Sequence, residues 1–451
     1  MRSIEVPARA GLSCRRMRSS RSALQQRAHS VIPGGAHTYS KGDDQFPANT
    51  PAFLARGEGA RVWDPEGREY LDWGMGLRSV ILGHAYGPVL DAVRAHLPLG
   101  SNFTRAHPLE VEFAEELTRL IPSAEMVKFA KNGSDATSAA VRLARAFTGR
   151  DVVLRCEDHP FLSVGDWFIG DTAMWAGVPQ AVRELTRRFR YNRLDTLEAA
   201  FAGAPGRVAC AILEPASLVA PDPGFLAGVR DLCRAEGALL VFDEVVTGFR
   251  LHPSGAQALF GVTPDLTCLG KAMGNGFAIS ALVGRRDVLE QGGLDHAGRR
   301  VFLLSTTHGA ELHTLAAARK TVSTVVEERV CDHVTAIGGR LRRGLRELLE
   351  AADLGRSVAT SDLDASPALL FSDAGPATAA ELRTLFLQEM VRAGILIPWI
   401  APSFSHTVAD VDRTLEAASA AFEAVRRAAE KGSVEGLLDG PPVKPVFRAF
   451  N

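Results

Sequence analysis

The chain runs to 451 residues, is 46% apolar and carries a formal net charge of −1. That length exceeds one ordinary domain and can bury a sizeable core, and the near-zero charge argues against a nucleic-acid or lipid partner. No apolar run approaches ~20 residues, so no membrane span is expected, and six scattered cysteines (Cys14, Cys156, Cys210, Cys233, Cys268, Cys331) without C-x-x-C spacing point to reduced thiols in a cytoplasm and to no metal site.

In chain order, residues 1–28 are rich in Arg and Ser. No apolar core follows, so this is not a signal peptide but an expected flexible arm, turning helical near Ser22 to His29. Residues 46–71 alternate short apolar pairs with Gly and Pro turns; 60–63 and 69–71 flank Asp64-Pro65-Glu66-Gly67 and read as small antiparallel strands. Helices are expected over 88–96 and 108–120, separated by the polar loop 100–104. A short strand over 126–130 runs into Lys131-Asn132-Gly133-Ser134-Asp135 and then an alanine-rich amphipathic pattern over 136–147. A Gly-Ser turn feeding a helix start offers unpaired N–H groups, a hydroxyl and the positive dipole end, which suits a phosphate. Taken alone, an ordinary Ser/Asp N-cap explains it more simply.

Two apolar runs follow, 207–213 and 238–242, each too short for a helix and each read as a strand buried on both faces. The first ends in Glu214 and the second in Asp243-Glu244. The segment 225–236 between them has apolar residues at helical spacing and Gly237 as a stop. This strand–helix–strand unit puts two carboxylates at the carboxyl edge of a parallel sheet, where open α/β folds bind ligands. Capping of a following helix by Asp243 and Glu244 accounts for one carboxylate at a strand end, but not for two plus the next feature. That feature is Lys271, presented between glycines after the apolar run 266–269. A lone Gly-Lys is most often a solvated turn, whereas an amine that must form an imine needs such a fixed presentation. Beyond it, a strand is expected over 278–284, helices over 312–330 and 334–351, a strand over 368–371, a helix over 379–393, a strand over 394–397 and a helix over 408–429. The last third therefore reads as a second α/β sandwich, followed by a Pro-rich, extended end.

An imine-forming lysine, a carboxylate that holds a ring nitrogen protonated and a phosphate cradle are together what pyridoxal 5′-phosphate needs. The chain resembles the class III pyridoxal-phosphate aminotransferases, in the branch of glutamate-1-semialdehyde 2,1-aminomutase. The resemblance is carried by Ile32-Pro33-Gly34-Gly35, Asp72-Trp73-Gly74-Met75-Gly76-Leu77, the stretch from Val127 to Ala136, Asp243-Glu244-Val245-Val246-Thr247-Gly248-Phe249-Arg250 and Gly270-Lys271. These span roughly residues 30 to 430, and the Asp243 motif with Lys271 at this distance is the most specific of them.

The resemblance implies the fold type I architecture of aspartate aminotransferase, a large mostly parallel-sheet domain with a smaller α/β domain. The expected divisions are a basic arm over 1–28, an N-terminal segment over 29–85 packing with the small domain, a large cofactor-binding domain over 86–325, a small domain over 326–432 and a tail over 433–451. It implies that Lys271 carries the cofactor and then moves the proton, that Asp243 binds the ring nitrogen, that Gly133 and Ser134 bind the phosphate, that Val245 presses one ring face and that Glu214 orders the phenolic side. Relatives stack an aromatic on the other face; this chain departs there, with Phe161 as first choice and His159 as second. Thr306 corresponds to a threonine that reaches the partner subunit's phosphate, which implies a homodimer with shared sites and places Asn102 and Phe103 near the same seam. Lys41 stands where the aminomutase has a carboxylate-binding arginine, and Tyr39 also departs from its pattern. A lysine cannot make the bidentate fork, which weighs against glutamate semialdehyde as substrate. The expected function is transfer of an amino group from a small-molecule donor to a keto or aldehyde acceptor, in sugar or secondary-metabolite biosynthesis. The alternatives are the 2,1-aminomutase, another reaction of the same cofactor, and a silent scaffold or sensor.

Overall fold

The computed structural model of the chain describes residues 22–450; residues 1–21 of the expected arm lie outside them. The first described helix, Ala23–Val31, starts in a capping box: Gln25 N–H donates to the Ser22 hydroxyl, and Ser22 N–H donates to the Gln25 side chain.

Three short strands follow, β1 (Arg56–Glu58), β2 (Arg61–Trp63) and β3 (Glu69–Asp72), paired antiparallel in that order. The β2–β3 turn is held by Asp64, whose carboxylate accepts from the N–H groups of Glu66 (3.1 Å) and Arg68 (2.9 Å).

The large sheet has seven strands: β4 (Met126–Ala130), β5 (Val152–Cys156), β6 (Thr186–Phe189), β7 (Val208–Leu213), β8 (Leu239–Glu244), β9 (Leu266–Leu269) and β10 (Ser280–Gly284), in spatial order β4-β10-β9-β8-β7-β5-β6. Only β10 runs against its neighbours; the pairs β5–β6, β5–β7, β7–β8 and β8–β9 are parallel. Both faces are covered, as the continuous apolar runs require. Leu239 and Val241 of β8 pack with Ala136, Ala140 and Leu143 of the helix Gly133–Thr148. Leu240 and Phe242 pack with Phe225 and Val229 of the helix Phe225–Ala235 on the other side. The two-residue period of a strand therefore fixes which way every residue at its end points.

The helix Leu312–Glu327 stops short of the expected 330, because Arg329 takes a left-handed backbone (φ +52°) and starts the helix Val330–Ala351. The helices Ala379–Arg392 and Val408–Lys431 pack against each other, and Val408–Lys431 also packs on Val330–Ala351. The strands of this last third do not make the single sheet that their alternation with helices leads one to expect. β11 (Val358–Thr360) and β12 (Leu369–Phe371) pair only with each other, while β13 (Ile395–Leu396) adds in parallel to β3 with Ile395 opposite Leu71. The reason is apolar: Ile395, Leu71 and Trp73 are fully buried in one core with Phe386 and Phe422. No helix among the described residues is long and apolar enough to cross a membrane.

Candidate active site

β4, β5, β7, β8 and β9 all deliver their carboxyl ends to one edge of the large sheet. The register places Leu213 opposite Phe242, and Asp243 opposite Cys268. Glu214 follows Leu213 and Lys271 lies two residues beyond the end of β9, so the three ionisable groups meet at this edge. Cys210, Ile212, Leu239, Val241, Leu266 and Cys268 all pack on the side of helix Gly133–Thr148. Alternation then turns Glu214 and Asp243 to that side. Glu244 turns the other way, where its carboxylate accepts from Thr247, Ala256 N–H and both Gln257 donors. It anchors the chain after β8 and is saturated there.

Lys271 opens a 3₁₀ turn, Lys271–Gly274, with a left-handed backbone at Lys271 (φ +41°) and at Asn275 (φ +45°). Non-glycine residues hold such angles at a cost of about 1–3 kcal/mol each, only where the surroundings over-determine them. Asn275 supplies that: its Oδ1 accepts from the N–H groups of Ile81 (2.9 Å) and Leu82 (2.8 Å), and its Nδ2 donates to Gly83 O (3.2 Å).

Burial dominates the electrostatics. It pushes Asp243 up to about 8, with the neighbouring Glu214 adding to the rise, while Val245 N–H and Lys271 oppose it. It pushes Glu214 up to about 7 against the pull of Lys271, Arg78 and Ser217. It lowers Lys271; Arg78 and Arg250 assist, and Glu214 and Asp243 oppose. A lysine whose pKa burial lowers gives up its proton more readily than an exposed one, as an amine that must act as nucleophile and base requires. Asp243 Oδ1 accepts from Val245 N–H (3.1 Å). No described residue is hydrogen-bonded to its Oδ2.

The phosphate-type turn lies against this cluster. A Cβ built on Gly133 would fall 2.8 and 2.9 Å from the Val245 methyls, and one on Gly270 would fall 3.3 Å from Val245. Val245 is thus wedged between the helix start and the lysine turn, and only glycine fits at 133. Asn132 caps the helix, accepting from Asp135 N–H (3.1 Å). The Ser134 hydroxyl accepts from Val164 N–H (3.1 Å) and keeps its own proton to donate.

The two aromatic candidates part company. His159 is buried beside Glu214, whose N–H donates to its Nδ1 (3.0 Å). Burial lowers its pKa to about 4, so the ring is neutral with its proton on Nε2, and that atom is buried without a partner. Phe161 is 47% exposed and its ring neighbours are Phe168 (5.8 Å) and Phe447 (6.5 Å). Tyr39 and Lys41 lie in an exposed 3₁₀ turn. Lys41 lines a cavity of about 760 Å³ between the N-terminal segment and Trp399; neither Lys271 nor Asp243 lines it. Thr306 is exposed. Its loop is tied to the 100–104 loop by Asn102 Nδ2 donating to Thr307 O (3.0 Å).

A model of the family described as aminotransferase class-III matches residues 43–361. The chain belongs to the class III aminotransferases. Among curated class III relatives, glutamate-1-semialdehyde 2,1-aminomutase of Desulforudis audaxviator (strain MP104C) is 38% identical over 423 residues, covering 88% of this chain and 95% of that protein. Among solved structures, the FumI protein of Sphingopyxis sp. MTA144 in a pyridoxal-phosphate form is 29% identical, with a TM-score of 0.83 over 94% of this chain and 99% of that one. An omega-transaminase from Sphaerobacter thermophilus is 26% identical, with a TM-score of 0.80 over 89% and 97%. Class III aminotransferases are pyridoxal-phosphate enzymes, and the residues here fit that group. Gly133 leaves a helix start clear for a phosphate, a half-satisfied buried Asp243 awaits a cation, and His159 holds an unpartnered buried N–H.

Three residues at this edge escaped the sequence reading. Arg250 is fully buried and donates to Pro402 O (2.9 Å) and Arg78 O (3.2 Å), joining the β8 segment to the loops beyond β3 and β13. Arg78 adopts a left-handed backbone (φ +69°). Asn275 was legible only as part of a glycine-rich turn. The sole prior signal for Arg250 was its place in the Asp243 motif.

Proposed function

We propose that this chain is a pyridoxal-phosphate aminotransferase that moves an amino group from an amino donor to a keto or aldehyde acceptor. The observation that carries the reading is Lys271 on a left-handed turn, held electrostatically between buried Asp243 and Glu214. When bound, pyridoxal phosphate supplies an aldehyde that condenses with amines and a ring that takes up the electron pair released at the adjacent carbon. Lys271 Nζ binds that aldehyde at rest. Once displaced, the Lys271 amine, whose pKa burial lowers, would take a proton from the substrate carbon and return it to the carbon on the other side of the intervening nitrogen. Asp243 holds the proton on the ring nitrogen, which makes the ring a better electron acceptor in the transition state. The N–H groups of Gly133 and Ser134 with the Ser134 hydroxyl bind the phosphate. Val245 presses one ring face. Glu214 orders the phenolic side, and for the second ring face His159 is favoured over Phe161 because it is buried beside Glu214. Thr306 comes from the partner subunit, so the active unit is a two-fold homodimer.

The acceptor belongs, on the notion of a keto-sugar or pathway-specific aldehyde suggested by the His37-Thr38-Tyr39-Ser40 loop, to sugar or secondary-metabolite biosynthesis. The five described cysteines are free and buried, which supports a reducing cytoplasm as the compartment.

A panel of amino donors tests the reading. An aminotransferase releases a keto acid, at most one per site, before any acceptor is added, and turns over when one is supplied. A second reading, the 1,2-shift within glutamate 1-semialdehyde, is favoured by the names of the curated relatives. It predicts isomerisation with no net keto acid; Lys41, an exposed point charge where the aminomutase has an arginine, speaks against it.

A further inference from the structure

A second cavity, about 140 Å³, lies between the bend after β3, the strand β12 and the turn after β13. Its walls are mostly apolar, with Leu218, Phe371, Trp399 and Ile400 among them, yet two guanidinium groups, Arg78 and Arg383, line it as well. That size accepts a small substrate's carboxylate with a few carbons.

Neither arginine is ion-paired among the described residues. Arg383 spends one donor on Pro398 O (3.1 Å). The Arg78 guanidinium donates no hydrogen bond to any described residue, and its Nε is buried without a partner. Burial lowers both guanidinium pKa values, and Glu214 partly offsets this for Arg78. A cation in such surroundings without a counter-ion is expensive. The backbone makes the placement dearer still: Met75 (φ +41°), Gly76 (φ +59°), Leu77 (φ +61°) and Arg78 (φ +69°) are all left-handed. Arg78 also stands within electrostatic reach of the reacting amine, since it helps to lower Lys271. Three residues on, the N–H groups of Ile81 and Leu82 donate to Asn275 Oδ1 at the end of the lysine turn, so the segment that carries Arg78 is bonded to the one that carries Lys271. The planar fork of a guanidinium matches a carboxylate in a bidentate pair, which the Lys41 ammonium cannot make.

We propose that Arg78, with Arg383 lining the same cavity, binds a substrate carboxylate, so that the amino donor is an amino acid and not a simple amine. This rests on the aminotransferase reading above. Arg78 thereby sets specificity; the chemistry stays with Lys271.

The test compares wild type with Arg78→Leu and Arg78→Lys in two assays on the cofactor-loaded protein. Calorimetry measures binding of glutarate, a non-reacting dicarboxylate, against its neutral diamide. Kinetics compare L-glutamate and L-alanine with isopropylamine, which has no carboxylate. The proposal expects wild type to bind glutarate over the diamide, and Arg78→Leu to lose about a hundredfold or more in glutarate affinity and in kcat/KM for amino acids. Isopropylamine should change far less, and Arg78→Lys should recover part of the loss. Equal glutarate binding in wild type and Arg78→Leu, no glutarate binding in wild type, or an equal fall for all donors overturns it; the last would mean that Arg78 acts only through Lys271. If wild type converts no donor, the aminotransferase reading fails while the glutarate comparison still decides for or against Arg78. Should Arg78→Leu not fold, Arg78→Gln removes the charge and keeps donors, and the same readouts apply.

Discussion

At the scale of single residues, the site is governed by what burial does to charge. Asp243 and Glu214 are both raised, to about 8 and about 7. An acid with a raised folded pKa binds protons more tightly folded than unfolded. Its stability is fullest below its unfolded value near 4 and declines as pH rises through the folded one. The cofactor-free protein should therefore lose stability between about pH 5 and pH 8, and a protonated ring nitrogen beside Asp243 should flatten that slope. Lys271, which is lowered, works in the opposite sense at higher pH, so the window is kept below 8. Asp243→Asn should flatten the slope in the cofactor-free protein. It should also reduce turnover by roughly a hundred- to several-thousand-fold, the counterpart of about 3–5 kcal/mol for a lost buried charge partner. Denaturant melts at several pH values and steady-state rates check both. A slope unchanged by the mutation, or a rate within threefold of wild type, counts against Asp243 as the ring's partner. The charged residues of this cluster were legible because a carboxylate or lysine at the end of an apolar run has no packing reason to be there. Arg78 was not, because its orientation depends on a left-handed run that only the three-dimensional chain displays. Phe161 and His159 both offered a flat ring to the sequence reading, and burial beside Glu214 was not legible there.

At the scale of elements, packing against glycine positions the helix proposed to meet the phosphate. Val245 leaves no space for a Cβ at 133. Gly133→Ala should force Val245 or the helix start to move, a strain of about 1–3 kcal/mol. Cofactor affinity should fall by roughly tenfold or more while the protein stays folded. Absorbance titration with pyridoxal phosphate reads this directly, and unaltered affinity would dismiss the wedge. The elements themselves were largely readable. The helix Pro108–Leu120 begins and ends where its proline start and apolar spacing place it. β7 and β8 were announced by their apolar runs. β5 and β6 were not, since Arg155, Arg187 and Arg188 break their patterns, and Arg155 is buried only through its pairing with Asp171. The partner of β13 was unreadable, because pairing across more than three hundred residues leaves no trace in local spacing.

At the scale of the molecule, the proposed site needs two chains. Thr306 is exposed, its loop is bonded to Asn102, and Leu97, Leu99 and Phe103 show large apolar surfaces around that seam. In a two-fold dimer such a seam is shared by both subunits. Lys271→Ala and Thr306→Trp should each be inactive alone. Mixed with subunit exchange demonstrated, they should regain part of the activity, because one site of each heterodimer recovers both wild-type residues. No recovery, or an active species that sediments as a monomer, removes Thr306 from the site. Both the proposed chemistry and the shared site require Lys271 to hold the cofactor. The most direct measurement is borohydride reduction of the cofactor-loaded protein, followed by peptide mapping, with Lys271→Ala as control. A pyridoxyl group on the Lys271 peptide alone, absent from the folded control, is the predicted result; a label on Lys41, Lys128, Lys131, Lys320, Lys431 or Lys444 in its place would contradict the account.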